Sequence, residues 1–296
     1  MIRIGIDLGG TKIEAVALDE QGRELQRLRT ATPIGDYAAT IETLAKIVGD
    51  FERTLGSTAR IGIGMPGTLS PATGCVKNAN STWLNDQYFQ EDIERALARP
   101  VRMANDANCF ALSEATDGAA AGAAVVFGVI LGTGTGGGVV VNGQVLTGPN
   151  AIAGEWGHNP LPWPRTSETP GPPCWCGRQG CLETYLCGPG FAREFYAASG
   201  RRLTAPDIVS AAVSGDPAAT NALHDYEDRL ARGFSNVINL LDPEVIVLGG
   251  GMSNIVRLYE NVPKLWGQYV FSDSVFTRLA PAKYGDASGV RGAAWL

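Results

Sequence analysis

Four side chains in one loop-rich segment have the composition of a zinc site. Cys174, Cys176 and Cys181 follow one another in a C-x-C-x4-C arrangement, and His158 lies shortly before them. Three thiolates and one imidazole fill a tetrahedral zinc shell and leave no open position for a substrate. The spacing is not that of the common zinc fingers, so three reduced thiols beside a histidine are the alternative. The composition predicts a structural zinc that ties down residues 150–187.

Several carboxylates are candidates for general acid–base work or for binding a polar ligand. Asp106 lies at a predicted strand-to-helix junction, the part of an α/β fold where active sites gather. From the residue alone, a plain helix N-cap is the favoured interpretation of Asp106, and a turn residue is that of Asn105. Glu155 and Glu183 flank the cysteine-rich segment, and planar acceptors of this kind can bridge neighbouring hydroxyl groups of a ligand. Exposed surface charge is the alternative for both glutamates.

Two glycine-rich turns lie at matching places in the two halves of the chain. One spans residues 7–12 and the other residues 132–138. Their glycines leave backbone N–H groups unobstructed, and clusters of such groups suit polyphosphate anions. Thr11 and Thr133 add hydroxyl donors, and Asp7 could hold the water shell of a magnesium ion, which uses few carboxylates. Tight turns without a ligand are the alternative.

The second turn also matches the G-x-G-x-x-G dinucleotide fingerprint, and so do residues 62–67. The fingerprint requires a helix directly after the glycines, so that the pyrophosphate lies at the helix N-terminus. Residues 139–141, followed by Asn142 and Gly143, predict a hairpin instead. Neither segment ends in the G-K-[ST] of a Walker loop. The sequence therefore predicts neither a Rossmann site nor a P-loop.

The elements that position these residues follow a pattern that occurs twice. Strand, glycine turn and strand are predicted over residues 2–18 and again over residues 125–141. We interpret this as a weak internal duplication, with two α/β lobes and a cleft between them. The predicted lobes are residues 1–121 and residues 122–296, the second containing the cysteine-rich loop. The closing helix, within residues 285–296, is expected to pack back on the first lobe.

Apolar periodicity and capping signals predict the remaining elements. Asp36 is expected to cap a helix that runs to about Leu55, because apolar residues recur there at intervals of three and four. Further helices are predicted over residues 89–98, 106–121, 190–199, 205–213 and 216–241, and from residue 253 or 254 onward. Further strands are predicted over residues 60–64, 101–104 and 244–248.

Bulk composition excludes several classes of protein. A length of 296 residues suffices for two lobes with separate cores, and a net charge of −6 argues against a nucleic-acid partner. The N-terminus turns polar at Asp7, before the apolar run of a signal peptide could form, and the longest apolar stretch, residues 123–131, is too short to span a membrane. Six cysteines in a chain of this length do not indicate a disulfide scaffold. We expect a cytoplasmic protein that binds neither nucleic acid nor membrane.

Together, these motifs resemble those of the ROK family of sugar kinases over essentially the whole chain. The resemblance implies an actin-like (ribonuclease H-like) two-lobed ATPase fold of the α/β class, with a duplicated βββαβαβα core and a zinc-bound loop. It implies ATP with Mg²⁺ and a hexose in the cleft, and a homodimer. The segments that carry it are Asp7-Leu8-Gly9-Gly10-Thr11-Lys12, Asn105-Asp106-Ala107-Asn108, residues 132–138, Gly154-Glu155-Trp156-Gly157-His158, residues 174–183 and Leu248-Gly249-Gly250-Gly251.

The resemblance also implies roles for particular residues. It makes Asp106 the general base that takes the proton of a sugar hydroxyl. The implied sugar-binding residues are Gly67, Asn80, Asn105, Asp106, Glu155, His158 and Glu183. The implied ATP-binding residues are Gly5, Asp7, Gly9, Gly10, Thr11, Lys12, Gly132, Thr133, Gly134, Gly136, Gly137, Gly138, Gly249 and Gly250. The implied zinc ligands are His158, Cys174, Cys176 and Cys181, with Asp7 holding magnesium through water.

Within the family, residues 77–84 and 288–295 look closest to bacterial fructokinases. The predicted reaction is therefore the phosphorylation of fructose to fructose 6-phosphate, with glucose or another hexose or N-acylhexosamine as the alternative. A non-catalytic, sugar-sensing regulator is the rival from another class. Repressors of this family carry a DNA-binding domain before the kinase-like lobes, whereas here the first phosphate turn begins at Asp7. A zinc hydrolase is disfavoured because the four ligands would close the metal shell.

Overall fold

The computed structural model describes all 296 residues and contains one five-stranded sheet in the first part of the chain. In this sheet the order is β3-β2-β1-β4-β7. The strands are β1 (Ile2–Leu8), β2 (Lys12–Leu18), β3 (Glu24–Ala31), β4 (Ala59–Met65) and β7 (Arg102–Asn105), with a small hairpin of β5 (Thr68–Leu69) and β6 (Val76–Lys77) outside it. The helices of this part are α1 (Tyr37–Leu55), α2 (Phe89–Leu97) and α3 (Asp106–Thr116).

A second five-stranded sheet, in the order β10-β9-β8-β11-β12, forms the other part of the molecule. Its strands are β8 (Val125–Leu131), β9 (Thr135–Val141), β10 (Gln144–Val145), β11 (Val245–Gly249) and β12 (Arg278–Pro281). The helices that follow β10 are α4 (Leu182–Leu186), α5 (Gly188–Ser199), α6 (Ala205–Val213), α7 (Pro217–Leu241), α8 (Leu258–Trp266) and α9 (Ser288–Trp295).

The two sheets repeat one pattern of strand directions. In each sheet, the first three strands in chain order pair with their neighbours in antiparallel fashion. The first strand also pairs with the fourth, and the fourth with the fifth, and both of these pairings are parallel. The edge pairings β9–β10 and β11–β12 complete the match. Each sheet has its own apolar core, one against α1 and α2 and the other against α7 and its neighbours. The predicted duplication of an actin-like α/β core is therefore confirmed.

Helix α1 shows how closely local sequence signals determine an element. The Asp36 side chain accepts a hydrogen bond from the Ala39 amide at 2.9 Å, which caps the first turn. The helix ends at Gly56, whose φ of 64° is the left-handed conformation that glycine adopts without strain. Leu44, Val48 and Phe51 are buried on one face. The predicted start, end and apolar stripe agree with the structure.

The closing helix α9 packs on β1 and β4 of the first sheet and on α3. Gly5 and Gly62 make this approach possible, because a side chain at either would collide with the backbone of α9. This corrects one expectation: Gly5, expected among the ATP-binding residues, lies under α9 rather than at the cleft. A division of the lobes between residues 121 and 122 would fall in the connection from α3 to β8, and we keep that boundary as a proposal.

Several predicted bounds differ from the structure. Helix α3 ends at Thr116, and residues 118–122 form turns. Strands β3 and β12 were not expected, since β3 carries charged residues on an exposed edge and β12 is only four residues long. None of the helices combines the length and the apolar character needed to cross a membrane.

Candidate active site

A pocket of about 370 Å³ lies where the carboxyl ends of strands from both sheets meet. Asp7 stands near the end of β1, Asp106 directly after β7, Ile130 near the end of β8 and Gly250 directly after β11. This is the edge of an open α/β sheet at which ligands bind. The structure thus brings together, in one pocket, these residues of the predicted site: Asp7, Gly9, Gly10, Lys12, Asn80, Asp106 and Gly250.

The first glycine turn forms one wall of this pocket. The Gly9 amide donates to the Lys12 carbonyl at 3.0 Å, and a side chain at Gly9 would come within 2.8 Å of that carbonyl oxygen. Facing Gly10 is Ser81, whose buried hydroxyl finds no hydrogen-bond partner within the chain. Buried polar groups are nearly always paired, so an unpaired hydroxyl beside a glycine turn fits a site that receives a polar ligand.

Asp106 is exposed to the cleft and lies next to the residue that caps α3. The Asn105 side chain accepts a hydrogen bond from the Ala107 amide at 2.9 Å and is the N-cap of α3. The Asn105 amide group also donates to the Gly67 carbonyl at 3.1 Å, which holds the loop after β4. Asp106 shares the Ala107 amide at 2.8 Å but stays accessible to solvent on the cleft side. Asn105 is therefore the N-cap of α3, and Asp106 contributes one carboxylate oxygen to the same amide while its side chain faces the cleft.

The cleft raises the pKa of its carboxylates. Surrounding protein atoms exclude water from Asp106 on all but its open side, and this desolvation, followed by the charge of Glu155, raises its pKa above the ordinary value. The Ala107 amide opposes the shift. Burial, the charge of Asp106 and that of Glu14 raise the pKa of Asp7 to about 6, against the attraction of Lys12. Asp7 and Asp106 are therefore close enough to oppose each other's ionisation.

A short helical turn, Trp156–His158, presents Glu155 and His158. Trp156 is buried against Phe127 and stacks on Phe234 with 5.3 Å between ring centroids, and its indole N–H donates to the Gly136 carbonyl at 3.2 Å. Packing of this kind fixes the backbone and leaves Glu155 exposed. Because the charge of Glu155 acts on Asp106, the two predicted sugar residues share one region of the cleft.

Four glycines expected to bind ATP also lie close to other parts of the protein. A side chain at Gly137 would meet Phe127 and Trp156 at 2.8 Å, and one at Gly138 would meet the backbone of α3. Gly249 lies against the ring of Phe110. Gly136 faces Ala107, and its carbonyl accepts from Trp156. Their requirement for glycine thus comes from close packing of β9 and β11 on neighbouring elements.

Glu183 lies against the second glycine turn. One of its carboxylate oxygens accepts a hydrogen bond from the Thr135 amide at 3.0 Å, and the same oxygen would be 2.8 Å from a side-chain atom at Gly134. The Gly132 carbonyl accepts from the Gly188 amide at 2.9 Å, and Thr133 is exposed at the tip. The predicted sugar residue Glu183 and the predicted phosphate turn are therefore in direct contact.

The Cys₃His set forms one compact cluster. The Cys174 sulfur lies 3.6 Å from Nδ1 of His158, and the Cys176 and Cys181 sulfurs are 3.6 Å apart. All four ligand atoms lie within 4.8 Å of one another. With Zn–S bonds of about 2.3 Å, tetrahedral ligands are roughly 3.5–3.8 Å apart, so the set fits zinc. The residues that would hold it are those predicted from the sequence, and Nε2 of His158 is left for another partner.

Other residues of the pocket were missed by sequence reasoning. Asp286 and Gly289, at the start of α9, line it, and a side chain at Gly289 would approach the Asp7 carboxylate to 3.4 Å. Ser81 and Phe110 belong to the same region. No local signal places these segments beside β1, because the contact arises only when the C-terminal helix returns to the first sheet.

The two similar sheets form an actin-like fold, and the cleft with its carboxylate is an arrangement that ATP-dependent sugar kinases use. The ROK family model matches residues 3–296, and the chain belongs to this family and is a sugar kinase. It is 41% identical to the N-acetyl-D-glucosamine kinase of Vibrio cholerae over 99% of this chain and 98% of that protein. The corresponding enzyme of Yersinia pseudotuberculosis is 38% identical, over 99% and 97%.

Solved structures that resemble this chain belong to the same family. A ROK hexokinase from Thermus thermophilus superposes with a TM-score of 0.88 at 33% identity, covering 100% of this chain and 97% of that chain. A ROK family glucokinase from Streptomyces griseus, in complex with glucose and AMPPNP, gives a TM-score of 0.75 at 28% identity, over 99% and 98%. These likenesses support the predicted family and fold.

Removing one thiol should release zinc and destabilise the loop. We expect Cys176→Ser to lose stoichiometric zinc and to lower the melting temperature by at least about 4 °C, the shift that roughly 1–2 kcal/mol gives in a chain of this size. Elemental analysis and calorimetry measure both quantities. Cys75→Ser, outside the cluster, is the matched control and should change neither. A zinc-free wild-type protein with full stability would contradict the assignment.

Proposed function

We propose that this sugar kinase transfers the γ-phosphoryl group of ATP to the primary hydroxyl of N-acetyl-D-glucosamine. The observation that carries the chemistry is the Asp106 carboxylate, which lies in one pocket with the first glycine turn while its neighbour Asn105 is the N-cap of α3. The sugar identity rests on relatives that match nearly the whole chain and are N-acetyl-D-glucosamine kinases. They favour an N-acetylhexosamine over fructose, the substrate that the sequence motifs had suggested.

Asp106 acts as the general base in this proposal. A sugar hydroxyl is a weak nucleophile at neutral pH, and a carboxylate within hydrogen-bond reach takes its proton as the oxygen attacks the phosphorus. The O–P bond to ADP breaks as the new bond to the sugar oxygen forms. A pKa raised by desolvation makes Asp106 a stronger base than a free carboxylate. Asn105 keeps the base in position through the N-cap.

Backbone amides and hydroxyls would hold the phosphates. Gly10 and Thr11 would present donors from the first turn, whose shape the hydrogen bond from the Gly9 amide to the Lys12 carbonyl maintains, and Lys12 adds a positive charge at the pocket wall. Residues 132–134 and Gly250 belong to turns of the second sheet and would contribute further donors. Asp7 would hold Mg²⁺ through water, and that ion would neutralise charge on the phosphates. Because most catalysis of phosphoryl transfer is alignment and charge stabilisation, this set suffices without a covalent intermediate.

The sugar would lie between Asp106 and the zinc-stapled loop. We assign its hydroxyl contacts to Asn80, Asn105, Glu155, His158 and Glu183, with Gly67 shaping the wall. Zinc would be structural in this account: His158, Cys174, Cys176 and Cys181 would hold it, with Nδ1 as the ligand atom of His158, so that the ring would be fixed and Nε2 left for the sugar. Support for these roles comes from the pocket that Asn80 and Asp106 line, from the charge of Glu155 that acts on Asp106, and from the fit of the zinc cluster.

The substrate assignment predicts a clear order of sugars. We expect kcat/KM for N-acetylglucosamine to exceed that for fructose by at least tenfold (~1.4 kcal/mol), because a site built around polar substituents rejects sugars that leave them unpaired. A coupled ADP-release assay with N-acetylglucosamine, N-acetylmannosamine, glucose and fructose measures this, and ³¹P NMR identifies the phosphorylated position. Fructose as the preferred sugar would refute the assignment and leave the kinase chemistry intact.

Replacing the base by its amide should stop transfer without loss of binding. Asp106→Asn is expected to lower kcat by about 10²–10⁴-fold, the usual contribution of a general base, while ATP affinity changes little. Single-turnover kinetics and nucleotide titration measure the two effects. Asp36→Asn is the control, because asparagine caps α1 as well as aspartate does. Turnover near that of the wild type in Asp106→Asn would rule out the base.

The acid limb of the activity profile should reflect the raised pKa values. The base works only when ionised, so kcat/KM should fall as the pH falls through the raised pKa of Asp106 and through that of Asp7, about 6. The midpoint should therefore lie above 3.8, the ordinary aspartate value. Glu155→Gln removes a charge that raises the pKa of Asp106, so its midpoint should move to lower pH, whatever the remaining rate. An unchanged midpoint in this variant would argue against the coupling.

A further inference from the structure

Trp175 is a large aromatic residue in an unusual position. It lies between the zinc ligands Cys174 and Cys176, and 74% of it is exposed. Its indole N–H nevertheless donates to a carboxylate oxygen of Glu183 at 2.7 Å. Its ring meets that of His158 edge-on, with 4.9 Å between centroids. Because most of the indole is exposed, apolar burial does not explain its position, whereas its contacts with Glu183 and His158, two predicted sugar residues, can.

Glu183 is held from two sides. Oε1 accepts from the Trp175 indole, and Oε2 accepts from the Thr135 amide of the second glycine turn at 3.0 Å. Oε2 can approach residue 134 this closely only because glycine has no side chain. The carboxylate therefore bridges the cysteine-rich loop and the turn that we assign to phosphate binding. Two fixed donors remove most of the rotational freedom that a glutamate side chain otherwise has.

We propose that Trp175 is a positioning residue of this kinase: its indole N–H fixes Glu183 in the geometry that binds the sugar and supports the second glycine turn. This inference rests on the proposed function only in placing Glu183 at the sugar. Without the indole donor, Glu183 samples other rotamers. Sugar binding must then restrict this freedom, which lowers the affinity for the sugar. The cysteine-rich loop thus contributes to sugar affinity through Trp175 as well as through His158.

Another role for Trp175 predicts a different result. An exposed indole face could itself stack on the sugar, in which case a phenylalanine would largely replace it. The N–H role predicts that phenylalanine fails, because its ring has no donor. Trp175→Phe therefore separates the two roles with a small change in volume.

The test is a double-mutant cycle on sugar binding. Trp175→Phe, Glu183→Ala and the double variant are titrated by calorimetry with N-acetylglucosamine, without nucleotide. We expect Trp175→Phe to raise Kd about tenfold, as loss of a hydrogen bond to a charged group does, and to add less than about twofold in the Glu183→Ala background. Zinc content and melting temperature should stay at wild-type values. Trp163→Phe is the control, because Trp163 is also exposed in this segment but stacks on Tyr269.

Several outcomes would overturn the proposal. Wild-type sugar affinity in Trp175→Phe excludes the N–H role, and an equal loss in both backgrounds shows that Trp175 does not act through Glu183. Loss of zinc in Trp175→Phe would assign the residue to folding of the loop. A second test does not depend on Trp175→Phe. The chain has six tryptophans, and in ¹⁵N NMR spectra the Glu183→Gln variant should shift the indole N–H signal of Trp175. No shifted indole signal would contradict the contact.

The two proposals can fail separately. If the wild-type protein phosphorylates another hexose and not N-acetylglucosamine, the substrate assignment fails, and the cycle is run with the sugar that binds. If N-acetylglucosamine is the substrate and the cycle shows no coupling, only the role of Trp175 is lost.

Discussion

The hydrogen bond from the Ala107 amide to Asn105 is the interaction on which the active-site interpretation depends. A helix that begins at a cleft needs an acceptor for its first amides, and a neighbouring carboxylate would normally serve. Here Asn105 is the N-cap and Asp106 shares the same amide, while the amide group of Asn105 also anchors the Gly67 carbonyl. Asp106 can then direct a carboxylate oxygen into the pocket that holds the first glycine turn. The same two residues therefore begin α3, fix a wall of the sugar site and supply the base.

The cleft concentrates negative charge before any substrate arrives. Desolvation raises the pKa values of Asp7 and Asp106, and the charge of Asp106 on Asp7 and that of Glu155 on Asp106 raise them further. Adding a triphosphate would be unfavourable without cations, and only Lys12 among the residues lining the pocket is positive. Backbone amides and a magnesium ion at Asp7 would offset this charge. An acidic protein can bind ATP in this way because the attraction is local.

Much of this arrangement could be predicted from the sequence, for identifiable reasons. Strands such as β1 and β8 are dense in β-branched residues, α1 carries a cap and an apolar stripe, and the Cys₃His composition has few other uses. The repeated glycine turns correctly indicated two similar halves. The predicted lobe boundary, the cytoplasmic location and the homodimer stay predictions.

The parts that sequence reasoning missed depend on contacts between distant segments. Gly5 and Gly137 looked like phosphate-binding glycines, but they allow α9 and Trp156 to approach the sheets. The contacts of Glu183 with Trp175 and Thr135 cannot be read from spacing, because they join a loop, a helix and a strand. Asp286 and Gly289 reach the pocket only when the chain end folds back on the first sheet.

A crystal structure of the complex with N-acetylglucosamine and a non-hydrolysable ATP analogue tests the central claim most directly. The account predicts an Asp106 carboxylate oxygen within about 2.6–3.2 Å of the primary hydroxyl of the sugar, with Asn105 still capping α3 and the γ-phosphate on the opposite side of that hydroxyl. If Asp106 instead capped the helix or turned away from the sugar, its assignment as the base would be wrong.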